Sequence, residues 1–205
     1  MNEVDRALSD IANIRAQLAA STRFRGIAPE VNALTAVLAL VVAAAQSLWP
    51  RLLAQDSYHY VTLWASVLIA STVIVAIEAI LRSRALHGRM AANMLSSALR
   101  LVLPFAAAGT VISFVILRYA PATVWMLPGL WQIFIALVGF SALSNVPRML
   151  GWVAVWYLLC GGIVLGLAGS SGTLSPWMMG IPLTVGQAAV ALILFLPGRV
   201  HDGQD

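Results

Sequence analysis

Residues 150–169 read LGWVAVWYLLCGGIVLGLAG, and no side chain in this run carries a charge. A helix of about 20 apolar residues, rising ~1.5 Å per residue, spans the ~30 Å hydrocarbon layer of a bilayer. The run does not alternate between polar and apolar residues, so it does not read as a barrel strand. In hydrocarbon, a helix pairs its own backbone amides and carbonyls within one segment. Five further stretches have the same character, roughly 32–50, 60–81, 101–118, 123–143 and 177–196. The expectation is an all-α integral membrane bundle of six transmembrane helices over 31–198. A cytoplasmic polar segment over 1–30 precedes it and a short cytoplasmic tail over 199–205 follows.

Composition agrees. The 205 residues are 60% hydrophobic and only 10% charged, with a mean hydropathy of +0.88. Soluble domains carry about 25% charged residues, enough to cover their surface. The net charge of +4 comes wholly from arginine, since the chain has no lysine. Avoidance of lysine is the usage of a GC-rich genome and points to a bacterium. The twelve arginines form no continuous stripe, which argues against nucleic acid as a partner. They orient the bundle instead. Arg6, Arg15, Arg23, Arg25, Arg82, Arg84, Arg89, Arg100, Arg148 and Arg199 fall on one side, and only Arg51 and Arg118 on the other. The rich side is then cytoplasmic, and an even number of spans returns the C-terminus there, in the inner membrane of the cell. Trp49, Trp64, Trp125 and Trp177 fall near the outer ends of spans and Trp152 near an inner end, where indoles favour the headgroup level. Trp131 and Trp156 lie deeper and read as packing between helices.

Within the first thirty residues, Val4, Leu8, Ile11, Ile14 and Leu18 recur at spacings of three and four, the stripe of an amphipathic helix. Asn2 can cap it, with Glu3 and Asp5 in the first turn. This mixed-charge start does not read as a cleavable signal peptide. The stripe needs an apolar surface: a protein partner, the bundle itself or lipid.

Few residues could carry chemistry. Glu78 is the only carboxylate inside a span, and an ionisable group there is a functional candidate. Arg82, four residues on, offers an ion pair at the cytoplasmic interface as the simpler role. Gln46, Gln132 and Gln187 fall in the outer halves of spans one, four and six, with Pro128 and Pro182 shortly before the last two. Proline removes one helical hydrogen bond, so freed carbonyls beside amide side chains could line a polar cavity open to the outside. The simpler role is an amide hydrogen bond across a helix contact. Gly162 and Gly166 form a GxxxG step, read first as an internal helix contact and second as the seam of a homo-oligomer. Tyr58, His59 and Tyr60 read as an interfacial anchor. His59, His87 and His201 lack metal-ligand spacing, and the lone Cys160 reads as a packing residue. No GxSxG, HExxH or phosphate-binding glycine loop is present. No cofactor is expected, and an enzyme is not the reading.

The runs Leu127-Pro128-Gly129-Leu130-Trp131-Gln132 and Ser175-Pro176-Trp177-Met178-Met179-Gly180-Ile181-Pro182, with the start Met1-Asn2-Glu3-Val4-Asp5-Arg6-Ala7-Leu8, resemble an uncharacterised family of proteobacterial multi-pass inner-membrane proteins of this length. The resemblance implies the same fold and brings no catalytic residue. Family members encoded beside small winged-helix regulators imply a regulatory or signalling role with a cytosolic partner, such as a transcriptional regulator. The alternative is a small-solute or ion carrier or channel using the outer-half polar residues Gln46, Gln132 and Gln187, with Glu78 the remaining intramembrane candidate.

Overall fold

The structure, a computed structural model, describes residues 28–53, 56–86, 88–143 and 146–199; for 82–95, 97–98 and 196–199 it describes the backbone alone. The stripe of Val4, Leu8, Ile11, Ile14 and Leu18 lies outside the described residues. The described chain is all-helical. Helix α1 spans Pro29–Leu48 and the short α2 Pro50–Leu53. Helix α3 spans Ser57–Leu86 and α4 Gly88–Tyr119. A 3₁₀ segment, Pro121–Met126, leads into α5, Leu127–Ala142. Helices α6, Leu150–Ser171, and α7, Trp177–Arg199, complete the bundle. Six stretches are long and apolar enough to cross a membrane, and their ends match the expected spans within three residues.

One connection differs from the expected loop. Between the apolar parts of α3 and α4, which end at Leu81 and begin at Leu99, the backbone stays helical on both sides of residue 87. The physical reason lies in the residues. From Arg82 to Ala98 there is no proline and one glycine, Gly88, which opens α4. The rest are mostly alanine, leucine, methionine and arginine, the strong helix formers. At 30 and 32 residues the two helices are about 45 and 48 Å long, well beyond the ~30 Å of hydrocarbon.

Lipid gives apolar side chains no reason to leave it, so close backbone approach through small residues holds the spans together. The most extensive contacts are α1 with α7 and α5 with α6. Ala36, Ala39 and Ala43 make one buried stripe on α1, and Gly180 of α7 sits against Ala43. Gly129 and Gly161 bring α5 and α6 so close that a Cβ on either would stand 2.8 Å from the other's carbonyl oxygen. The buried stripe of α6 is Ala154, Tyr157, Gly161, Val164 and Ala168. Gly162 is one residue off this stripe, about 100° around the helix, and Gly166 is two residues from either Val164 or Ala168, on the opposite side. They face outward with no atom within 4 Å of an added Cβ, so the expected internal GxxxG contact is made by Gly161 instead. Gly172, at φ 64°, ends α6 and donates to the Ala168 carbonyl at 2.8 Å.

Antiparallel pairings across the bundle (Ala43 with Gly180 and Thr35 with Gln187) put the start of α1 and the end of α7 on one face. That face also holds the α3–α4 and α5–α6 connections and is called the arginine-rich face below. The core is unequal along the membrane normal. The largest fully buried side chains, Trp64, Tyr60, Leu127, Met179, Gln46 and Gln132, cluster toward the opposite, far face. There Asp56 caps α3, its carboxylate accepting the His59 amide at 2.8 Å, and this bond holds the carboxyl below its ordinary range. Beyond Val67 no described residue of α3 is buried, and none is in Leu99–Tyr119 of α4.

Gly161→Val is expected to lower unfolding free energy in detergent by about 1–3 kcal/mol, the cost of overpacking a filled contact. Gly162→Val, one residue away, is expected to stay within about 0.5 kcal/mol. Equal losses, measured by denaturant titration in micelles, would contradict the helix rotation described.

Candidate intramembrane polar site

Polar atoms inside hydrocarbon must find partners in the protein. Gln46, in the last turn of α1, is fully buried and uses both ends of its amide. Its Nε2 donates to the Leu53 carbonyl at 3.2 Å, and its Oε1 accepts the Trp64 indole N–H at 2.9 Å. One side chain thus joins α1, α2 and α3. Trp64, expected at the headgroup level, is instead fully buried as Gln46's donor. Two residues of the expected interfacial anchor also divide: Tyr58 is exposed, whereas Tyr60 is buried and donates to the Ser175 carbonyl at 3.0 Å.

Gln132 on α5 is likewise fully buried. Its Nε2 donates to the Met178 carbonyl of α7 at 2.8 Å. The position is dictated by Pro182, which has no N–H to offer the carbonyl four residues earlier. The proline-freed carbonyl beside an amide is therefore present, and the pair is closed upon itself rather than opening into a cavity. Gln132 Oε1 is left without a partner among the described residues. Trp131 and Trp156 pack between helices as expected, donating to Ser113 Oγ at 2.9 Å and to the Pro182 carbonyl at 3.1 Å.

Gln187 is ten residues into α7, near mid-membrane rather than in the outer half. Three residues overlooked in the sequence gather around it. Thr35 Oγ1 of α1 lies 3.3 Å from Gln187 Oε1 and 2.9 Å from the Asn32 carbonyl. A hydroxyl has one hydrogen to donate, so only one of these contacts can use it. The shorter contact is the stronger claim on that hydrogen. Tyr157 of α6 is adjacent to Gln187, yet its buried hydroxyl has no hydrogen bond of acceptable geometry. A half-turn of the Gln187 amide resolves both points: its NH₂ then faces Thr35, and its oxygen can accept from Tyr157.

Glu78 stands apart. It is on α3, fourteen residues beyond Trp64, about 21 Å along the helix from the level of Gln46. The side chain of Arg82, its expected partner, is outside those described. The four sequence candidates therefore do not converge. What the fold assembles is Thr35, Gln187 and Tyr157, drawn from α1, α7 and α6, with the backbone carbonyl of Asn32 beside Thr35 and the Asn32 side chain turned back to the Ala28 carbonyl. These groups are neutral donors and acceptors, suited to hydrogen bonding and without an acid–base pair. No group of three or more His, Cys, Asp or Glu that could hold a metal occurs among the described residues.

Gln46→Leu is expected to cost about 1–3 kcal/mol of stability, because it orphans the Trp64 indole and the Leu53 carbonyl together. Gln187→Leu is expected to cost about 0.6 kcal/mol, the average for a hydrogen bond between membrane helices. Denaturant titration in micelles separates the two, and the reverse order would make the mid-membrane group the structural one.

Among the described residues the chain is all-helical, with six helices long and apolar enough to cross a membrane; compared with known proteins, it matches no family model, no curated protein and no solved structure.

Proposed function

We propose that this chain is a non-enzymatic component of a bacterial inner membrane that engages a cytosolic protein, in a regulatory or signalling role. The carrying observation is the helical continuation of α3 and α4 past Leu81 and before Leu99. Span-crossing needs explain about 20 residues of each helix. The remainder extends the hairpin past the hydrocarbon on the arginine-rich face. By the positive-inside rule that face is the cytoplasmic one. From Ala79 to His201 the chain has no Asp or Glu, so the hairpin bearing Arg82, Arg84 and Arg89 is basic throughout. Such a surface favours an acidic partner and steers its approach. The sequence's stripe of Val4, Leu8, Ile11, Ile14 and Leu18, shortly before the first span, is the apolar half of the docking surface in this reading. A transcriptional regulator is the partner class that the family resemblance suggests. Outward-facing Gly162 and Gly166 offer a seam for a second copy within the same reading.

A photo-crosslinking residue placed at Leu86 or Met90 is expected to capture a defined cytosolic protein in cells. One placed at Trp152, which is 76% exposed at the membrane edge of the same face, is expected to capture lipid only. Lipid adducts alone at all three positions would remove the proposal.

A second reading, a carrier for a small neutral solute, is favoured by Thr35, Gln187 and Tyr157, neutral hydrogen-bonding groups that three different helices bring together inside the bundle. Under it, Gln187→Leu abolishes solute flux into proteoliposomes while Gln132→Leu, which removes a closed structural pair, leaves flux per folded molecule intact. No flux of any neutral hydrogen-bonding solute with the native chain would end this reading.

A further inference from the structure

A groove of about 520 Å³ runs along the outer surface of the bundle between α1 and α7. Its size falls in the ~300–1,000 Å³ range of ligand-binding clefts. Small residues make it: Ala36 and Ala191 are buried at the contact of the two helices, while Val37, Leu40 and Leu192 stand out beside them, each more than two-fifths exposed. The one hydroxyl that borders it, Thr184, turns inward, 3.4 Å from the Ala36 carbonyl. Along α1 the groove runs from Pro29 to Leu40, about 16 Å at the helical rise, which is close to half of the ~30 Å hydrocarbon layer. It therefore has the depth of one leaflet, opening at the arginine-rich face.

The mouth is polar in a particular way. Glu30 lines it, an exposed carboxylate at headgroup level. Among the described residues the first turn of α1 has no side-chain cap, and since Pro29 carries no N–H its leading amides are those of Glu30 and Val31. A carboxylate beside uncapped helix amides is complementary to a zwitterion with an acidic and a cationic group, held above an apolar tail. We propose that this groove binds one phospholipid with a primary-ammonium headgroup. Its acyl chain lies between α1 and α7, its phosphate meets the opening amides of α1, and its ammonium pairs with Glu30. A choline headgroup has no N–H to donate to Glu30, and a phosphoglycerol headgroup brings no cation. The chain's own N-terminal stripe is excluded as the occupant. Glu3, Asp5, Arg6, Asp10 and Arg15 are interleaved with its apolar residues, and charges entering hydrocarbon cost about 2.5–3.5 kcal/mol each.

The test uses the full chain in nanodiscs of equal phosphatidylethanolamine, phosphatidylcholine and phosphatidylglycerol with identical acyl chains, read by native mass spectrometry after extraction. The native protein is expected to retain one phosphatidylethanolamine, enriched about fivefold over the others, the factor for an interfacial ion pair of about 1 kcal/mol. Glu30→Gln is expected to keep a bound lipid and lose the enrichment over phosphatidylcholine. Ala188→Trp, which fills the groove, is expected to retain none. A chain-labelled photoreactive phosphatidylethanolamine, applied to the native protein, keeps the test independent of how the variants fold. It is expected to mark residues 33–40 and 184–192 well above the lipid-facing Ile163 and Leu167. Uniform marking, unchanged enrichment in Glu30→Gln, or a dimer that Ala188→Trp dissolves would each overturn the proposal, the last by showing that a second copy fills the groove.

Discussion

Hydrocarbon offers no hydrogen-bond partner, so a chain that crosses it must close every polar contact within itself. Most features of this bundle follow from that constraint. It makes the spans helical. It turns Thr62, Ser66, Thr72 and Thr110 back onto carbonyls of their own helices, so that hydroxyls on exposed faces do not meet acyl chains unpaired. It also explains why Gln132 reaches across to Met178: Pro182 leaves that carbonyl open, and a neighbouring amide is the cheapest remedy.

Where the constraint is met completely, the bundle is rigid; where polar capacity is left over or apolar contacts thin out, function has room. The far face is closed by Trp64, Tyr60, Leu127 and Met179 around two satisfied or nearly satisfied glutamines. Toward the arginine-rich face the bundle packs through small residues, Ala36 and Ala39 of α1 and Gly139 of α5 against Ala154 of α6, while the described later part of α3 contributes no buried side chain. A long helical hairpin attached mainly at the far end is suited to carry contacts outside the bilayer. Few packed contacts on such an element mean that a partner can shift it at small cost.

Much of the fold was legible in the sequence because span length and apolar character are local properties of the chain. The six apolar stretches needed only hydropathy, and their limits hold within three residues. The site was less legible, for reasons particular residues make plain. Gly161 and Gly162 are identical in sequence terms, and only the direction from which α5 approaches decides which of them packs. Trp64 looked like an interfacial indole because its acceptor, Gln46, is on another helix. Thr35 and Tyr157 are ordinary membrane residues until the packing of α1, α7 and α6 brings them to Gln187. The hairpin over Arg82–Ala98 is a different kind of miss. Its helix propensity was readable, but hydropathy alone marks it as a loop.

The most direct measurement is thiol accessibility along that hairpin. Single cysteines from Ala76 to Ala106, introduced one at a time into a Cys160→Ser chain, would be exposed to a membrane-impermeant maleimide in intact cells and in inverted vesicles. Labelling confined to inverted vesicles, beginning near Arg82 and ending near Arg100, is the expected result. Labelling of these positions from outside the cell, or protection of the whole stretch from both sides, would contradict a basic helical post standing in the cytoplasm.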